Sequence, residues 1–219
     1  MWGNDKDKSI AHLLLDYSKE AVAEMDTQAM AFLFANGKVE LVVRNLLARK
    51  LAEIPEKLEN QLVAREWKKH DLAILKDGAP ELILEGKAWI HADAIHPSKL
   101  DKGQAEIKNA FEKDLQKIRE TQKLHPQARG FISILFSSID TSRCSDQMAQ
   151  LVGYPALHKA GIKQAGSFEE LHGLGRSYAT RFLQEREEVG DIKREVIFTG
   201  NYLGMDLWVD IFVVEILGF

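Results

Sequence analysis

Asp71, Glu85 and Lys87 bracket two apolar runs in the stretch HDLAILKDGAPELILEGKAW, from His70 to Trp89. Two carboxylates and an ammonium brought to one point are the equipment of metal-assisted phosphodiester hydrolysis. Carboxylate oxygens hold a hard cation such as Mg2+ (or Mn2+), and a nearby lysine orients or helps deprotonate the attacking water, or balances charge at the phosphate. Their convergence requires a hairpin. If DLAIL and ELILEGK pair antiparallel about KDGAP, whose Asp77-Gly78 and Pro80 carry turn chemistry, Leu75 falls opposite Glu81, Ala73 opposite Ile83 and Asp71 opposite Glu85. Opposed residues share a face with Cβ atoms about 5 Å apart, and Lys87, two residues on, joins them there. Opposed like charges destabilise a hairpin unless something such as a divalent cation compensates. A slip of one residue would send Asp71 and Glu85 to opposite faces. Spacing alone leaves a plainer reading open: Asp71 caps a turn, and Glu85 and Lys87 lie on the solvated face of an edge hairpin.

The elements that must position these residues are legible from periodicity. From Ser9 to about Ala35 the spacing of Leu13, Leu14, Tyr17, Ala21 and Met25 predicts one or two helices, with a break near MDTQ. After NGK, a helix from Val39 places Val43, Leu46, Leu47 and Ile54 near one face until Pro55 stops it. Three strands are expected at Gln61–Trp67, Asp71–Leu75 and Glu81–Ile90. A polar connection then leads to an amphipathic helix over Gln104–Leu124, striped by Ile107, Phe111, Leu115 and Ile118. FISILFSS reads as a strand buried on both faces, as a parallel central strand would be. Beyond it, FEELHGLGRSYATRFLQEREE predicts a helix softened around Gly173 and Gly175, and REVIFTG and LWVDIFVVEIL predict two more strands. The last strand reads as an edge that could pair with a second copy of the chain.

At 219 residues, 45% hydrophobic and 28% charged, the chain has ordinary globular composition. One domain over residues 1–219 is expected. The polar N-terminus MWGNDKDKSI has neither a basic-then-apolar signal nor an arginine-rich leader, and LWVDIFVVEILGF, the most apolar window, is broken by Asp210 and Glu215, so a cytoplasmic protein with no membrane span is expected. The single cysteine, Cys144, allows no internal disulfide and no cysteine-rich metal site. A net charge of −4 argues against a surface that clamps nucleic acid everywhere, so any such contact must be local.

The order helix, three strands with Asp71 opening the second and Glu85-x-Lys87 in the third, helix, strand resembles the PD-(D/E)xK nuclease superfamily. The resemblance spans roughly residues 37–138. It implies an α/β fold with a restriction-endonuclease-like αβββαβ core, a mixed central sheet flanked by helices, N-terminal helices over about 9–35, and an α+β extension over about 145–219. Carried over, it makes Asp71 and Glu85 metal ligands and Lys87 the catalytic lysine. Glu40, on the helix before the strands, matches the additional carboxylate such proteins often have; a solvated pairing with Arg44 at i+4 accounts for it equally well. His70 stands where the superfamily name has proline. The implied activity is Mg2+-dependent hydrolysis of nucleic acid, DNA being the expected substrate. A catalytically silent binding or assembly module on the same fold, able to dimerise through the C-terminal strand, is the alternative.

Other candidates are weaker. Lys68, Lys69 and His70 form a basic group able to meet backbone phosphates. Gln104 and Lys108 are substrate-binding candidates because the resemblance puts the corresponding helix near the scissile phosphate. The remaining charges on that helix read as a solvated, ion-paired face. His91, Asp93 and His96 are metal-ligand types at a spacing that fits no common motif. HGLGRS lacks the ending of a phosphate loop. Ser138, Cys144 and the histidines show no spacing that favours a nucleophile and base.

Overall fold

A computed structural model describes residues 8–36, 39–53, 60–95, 100–142 and 144–218. The expected break at MDTQ separates α1 (Ile10–Ala23) from α2 (Thr27–Asn36), and Ser9 caps α1 by accepting from His12 N. Helix α3 (Val39–Ala52) buries Val39, Val43, Leu47 and Leu51, which recur at i, i+4, i+8 and i+12 on one side. Pro55, its expected stop, and Ile54 lie outside the described residues. There follow β1 (Gln61–Trp67), β2 (His70–Lys76), β3 (Ala79–Ile90), the short α4 (His91–Ile95), α5 (Leu100–Leu124) and β4 (Arg129–Ile139). The chain ends with α6 (Asp146–Ala149), α7 (Pro155–Ala165), α8 (Phe168–Gln184), β5 (Val189–Tyr202) and β6 (Met205–Ile216).

The fold is mixed α/β, a six-stranded sheet in the order β1-β2-β3-β4-β6-β5 flanked by helices. All neighbours are antiparallel except β3 and β4. Alternation along the strands divides the core. Leu72, Ile74, Leu82, Leu84, Phe131 and Leu135 pack on the side of α1–α3, whereas Ala73, Ile83, Ile132, Ile134 and Phe136 meet Ile107, Phe111, Leu115 and Ile118 of α5. Strand β4 is buried on both faces, as its continuous apolar run requires.

Several elements depart from the sequence expectations. The connection after β3 is helical (α4), and α7 lies in a stretch given no element. Helix α8 runs unbroken through Gly173 and Gly175 and ends at Gln184. Gly175 is a contact residue, since a Cβ there would overlap the His91 ring and force α8 away from α4. The closing strand β6 is interior, paired with β4 on one side and β5 on the other, so the edges are β1 and β5. This removes the premise for dimerisation through the last strand. No helix among the described residues is long and apolar enough to cross a membrane.

A buried polar network joins α4, α8 and the strands. Asp210 Oδ2 accepts from His91 Nε2 at 3.0 Å and its Oδ1 accepts from Arg176 Nε at 2.8 Å, while His91 Nδ1 lies 2.6 Å from Ser138 Oγ. His91, Ser138 and Asp210 are each at most 1% exposed. The set has the residue types of a serine-hydrolase triad, but a substrate cannot reach a sealed hydroxyl, and Arg176 already neutralises the aspartate. Its role is to fasten α4 and α8 to β4 and β6. Beside it, burial pushes His172 down to about 3 and His158 down to about 4, in each case reinforced by His91.

These two histidines stay neutral in the fold yet protonate in the unfolded chain near pH 6.5. Below that pH the unfolded state binds more protons, so stability is full above pH 6.5 and falls on acidification by about 1.4 kcal/mol per pH unit for each histidine, until its folded pKa is reached. Urea unfolding from pH 7 to 4.5 should show this slope, and His158→Gln should remove about half of it. An unchanged slope would refute the assignment.

Candidate active site at the fork of the sheet

Strand β3 is longer than its partner. Its regular ladder with β2 runs from Leu72↔Leu84 to the turn, whereas its ladder with β4 continues to Ile90. From Glu85 onward β3 therefore leaves β2, and the sheet forks. The turn is a two-residue loop in which Asp77 and Gly78 both take positive φ (51° and 78°), so Leu75 lies opposite Pro80 where Glu81 was expected. A bulge between Ile74 and Leu75 then restores Ala73 opposite Ile83, as expected.

The expected sharing of one face by Asp71 and Glu85 is not what the structure shows, and the cause lies at the fork. In β1, Arg65 and Glu66 are consecutive yet both turn toward α3, where they meet Asn45 and Arg44. Glu66 has a left-handed backbone (φ 53°). Across the ladder, Asp71 and Leu72 likewise both face α3. This doubled step reverses the alternation, so that His70 faces α5 and Asp71 does not.

On the α3 side, Asp71 Oδ2 accepts from the backbone N of Gly86 at 2.8 Å, and Oδ1 lies 3.3 Å from Arg44 Nη1. Asp71, Glu40, Arg44, Gly86 and Ser133 contribute to the wall of a narrow pocket of about 10 Å³, the space of one water. A Cβ at position 86 would come 3.6 Å from Asp71 Oδ2 and 3.8 Å from Glu40 Cβ, ordinary contact distances, so the Gly86 backbone lies directly against both side chains.

On the α5 side, Glu85 is fully buried. Its Oε1 lies 2.6 Å from His70 Nδ1 and its Oε2 accepts from Lys117 Nζ at 3.0 Å. An ionised carboxylate only accepts, so Nδ1 of His70 carries the proton, and Nε2 meets Thr121 Oγ1 at 2.7 Å. Lys117 also lies 3.0 Å from Asp114 Oδ1, and Lys87 Nζ lies 2.8 Å from Asp114 Oδ2, though off a hydrogen-bond direction. Burial acts to lower the Lys117 pKa, but the bonds to Asp114 and Glu85 prevail and hold it above the usual lysine range.

The structure thus brings Glu40 and Asp71 together on one side of Gly86, and Glu85 and Lys87 together on the other. His70 is 2% exposed with both ring nitrogens engaged, so it holds Glu85 and is closed to a phosphate. Lys69 is exposed; Lys68 lies over the Trp67 ring at 4.4 Å. Gln104 donates to Ala94 O, tying α5 to α4, and Lys108 lines an open groove with Tyr178 and Arg181. His91 and Asp93 are engaged within the fold, Asp93 accepting from Ile90 N, and His96 lies outside the described residues. Asp114 and Lys117 were read as part of a solvated helix face. Asp114 nevertheless falls on the apolar stripe, three residues after Phe111 and four before Ile118, and a charge at such a position is a signal for a buried partner.

A divalent cation suits the α3 side in part. Asp71 and Glu40 supply hard oxygen donors beside a pocket, and Mg2+ commonly takes one or two carboxylates with its remaining positions left to water and substrate. Glu85 does not join them, because it is fully buried on the opposite face of β3 between His70 and Lys117. Among the described residues no group of three or more His, Cys, Asp or Glu side chains could hold a metal ion. Compared with known proteins, the chain matches no family model, no curated protein and no solved structure.

Glu85→Gln leaves the Lys117 ammonium without one of its buried partners and should cost about 3 kcal/mol in urea unfolding. Asp71→Asn, at a partly exposed pair, should cost less than about 1 kcal/mol. Equal costs would contradict the division into a buried and an open cluster.

Proposed function

We propose that the protein is a metal-dependent nuclease whose active centre is the fork at Glu85-Gly86-Lys87, with DNA as its expected substrate. The observation that carries this reading is the placement of four candidate groups around Gly86, with Glu40 from α3 and Asp71 from β2 on one side of the strand and its own neighbours Glu85 and Lys87 on the other. The strand order β1-β2-β3-β4, with α3 before it, α5 between β3 and β4, and β4 parallel to β3, supports the restriction-endonuclease-like core that the sequence resembles.

In this reading Asp71 and Glu40 would hold the cation, and Glu85 organises the opposite side. A bound cation would supply charge neutralisation at the scissile phosphate and lower the pKa of a water. Lys87, partly exposed and braced by Asp114, presents an ammonium toward charge that develops on the phosphoryl oxygens, where fixed charges act without reorganisation. Arg44, which lies against Asp71, is the group that must yield or share when a cation enters.

A second reading, the catalytically silent binding or assembly module, is favoured by one observation. Every oxygen of Asp71 and Glu85 already meets a donor of the protein itself.

Incubation of supercoiled plasmid, linear DNA and RNA with Mg2+ or Mn2+ separates the two. Wild type should cleave, and Lys87→Ala and Asp71→Ala should each lose about 100- to 1000-fold in rate. Identical behaviour of wild type and both variants on every substrate would eliminate the nuclease reading in favour of the silent module.

A further inference from the structure

Lys87 and Lys117 reach the surface from different elements, β3 and α5, yet they bind the two oxygens of one carboxylate, Asp114, at 2.8 and 3.0 Å. Asp114 and Glu85 beneath them are 2% and 0% exposed, whereas the lysine side chains are 28% and 35% exposed. The charge is therefore layered, carboxylates inside and ammoniums outside, and an anion arriving from solvent meets the cations first. Lysine side chains are ordinarily mobile, and ordering one costs up to about 2 kcal/mol of rotamer entropy. Here the buried carboxylates meet that cost before any ligand arrives, and His70 and Thr121 hold Glu85 in turn. Each ammonium has three N–H groups. Lys117 donates to Glu85 and pairs with Asp114, and Lys87 pairs with Asp114 off a hydrogen-bond direction, so both retain donors for an external acceptor.

We propose that Lys87 and Lys117 form a preorganised two-ammonium clamp for a backbone phosphate of nucleic acid, with Asp114 and Glu85 as its positioning residues. The inference rests on the nuclease reading for the identity of its ligand and extends that reading to Lys117, a residue outside the carboxylate and lysine set. The clamp contacts non-bridging oxygens and carries no sequence information, so it sets the register of the strand at the fork and not the choice of site. Lys117 stays charged across the neutral range, because its bonds to Asp114 and Glu85 hold its pKa up.

The test is binding of a fluorescein-labelled DNA duplex by anisotropy in EDTA, where no turnover occurs, over a series of salt concentrations. Lys117→Met should weaken binding about tenfold at low salt and reduce the slope of log K against log salt by about 1, while Lys117→Arg should restore most of both. Lys159→Met, which removes an exposed lysine distant in sequence and paired with Asp146, serves as the charge control and should leave both unchanged. Absence of wild-type binding, or a Lys117→Met protein that is folded and binds with unchanged slope, overturns the clamp. Should Lys117→Met not fold, titration of the wild type with inorganic phosphate decides the matter. The ammonium 15N resonances of Lys87 and Lys117 should then shift together, and their indifference at millimolar phosphate refutes the proposal. Because binding is read without metal, a clamp that binds but never cleaves with Mg2+ defeats the nuclease reading alone, and cleavage indifferent to Lys117 with unchanged binding defeats the clamp alone.

Discussion

A carboxylate sealed inside a sheet costs several kcal/mol unless its charge is met at both oxygens, and Glu85 imposes that condition on everything around it. Its two partners come from opposite directions in the chain, His70 from the start of β2 and Lys117 from the middle of α5. To deliver His70, the β1–β2 ladder must reverse its alternation, which it does at the left-handed Glu66. To deliver Lys117, α5 must present that side of its cylinder toward the sheet, with Asp114 one turn before it and the stripe of Phe111, Leu115 and Ile118 on β4. The register of one strand and the rotation of one helix are thus tied to a single side chain.

The fork supplies a second constraint of the same kind. Where β3 leaves β2, its backbone loses ladder partners, and an interior N–H left unpaired is unfavourable by about 1–3 kcal/mol. Asp71 meets this need at Gly86, and the reversal that sends His70 toward α5 is what turns Asp71 toward that amide and toward α3. A structural requirement and a proposed catalytic arrangement therefore draw on the same atoms.

At the other end of β3 a polar network of different character fixes the C-terminal elements. His91, Ser138, Asp210 and Arg176 satisfy one another away from solvent, and Gly175 permits α8 to approach close enough to complete the set. The residue types alone would suit nucleophilic catalysis; burial decides for a fastening role. The contrast with the fork is one of access, since there the lysines and Asp71 remain partly open to solvent while the groups that brace them are closed.

Periodicity in the sequence determined most of the elements and the two-sided burial of β4, because apolar spacing reports directly which face of a helix or strand is dry. It also determined the central register, Ala73 opposite Ile83, although a two-residue turn and a bulge reach it by a route other than the one inferred. Asp71, Glu85 and Lys87 were legible as candidate residues around one stretch of β3, and Glu40 joined them through the resemblance. Which of them face one another was not. That depended on a backbone reversal at Glu66 that side-chain types do not encode, and on α5 bringing Asp114 and Lys117 across more than twenty-five positions of chain. Nor could local spacing reveal that β6 is interior or that His91 meets Asp210, since strand order and long-range pairing are fixed only when all helices and strands bury their apolar faces together. Local chemistry follows from the order of residues; facing, burial and partnership follow from packing.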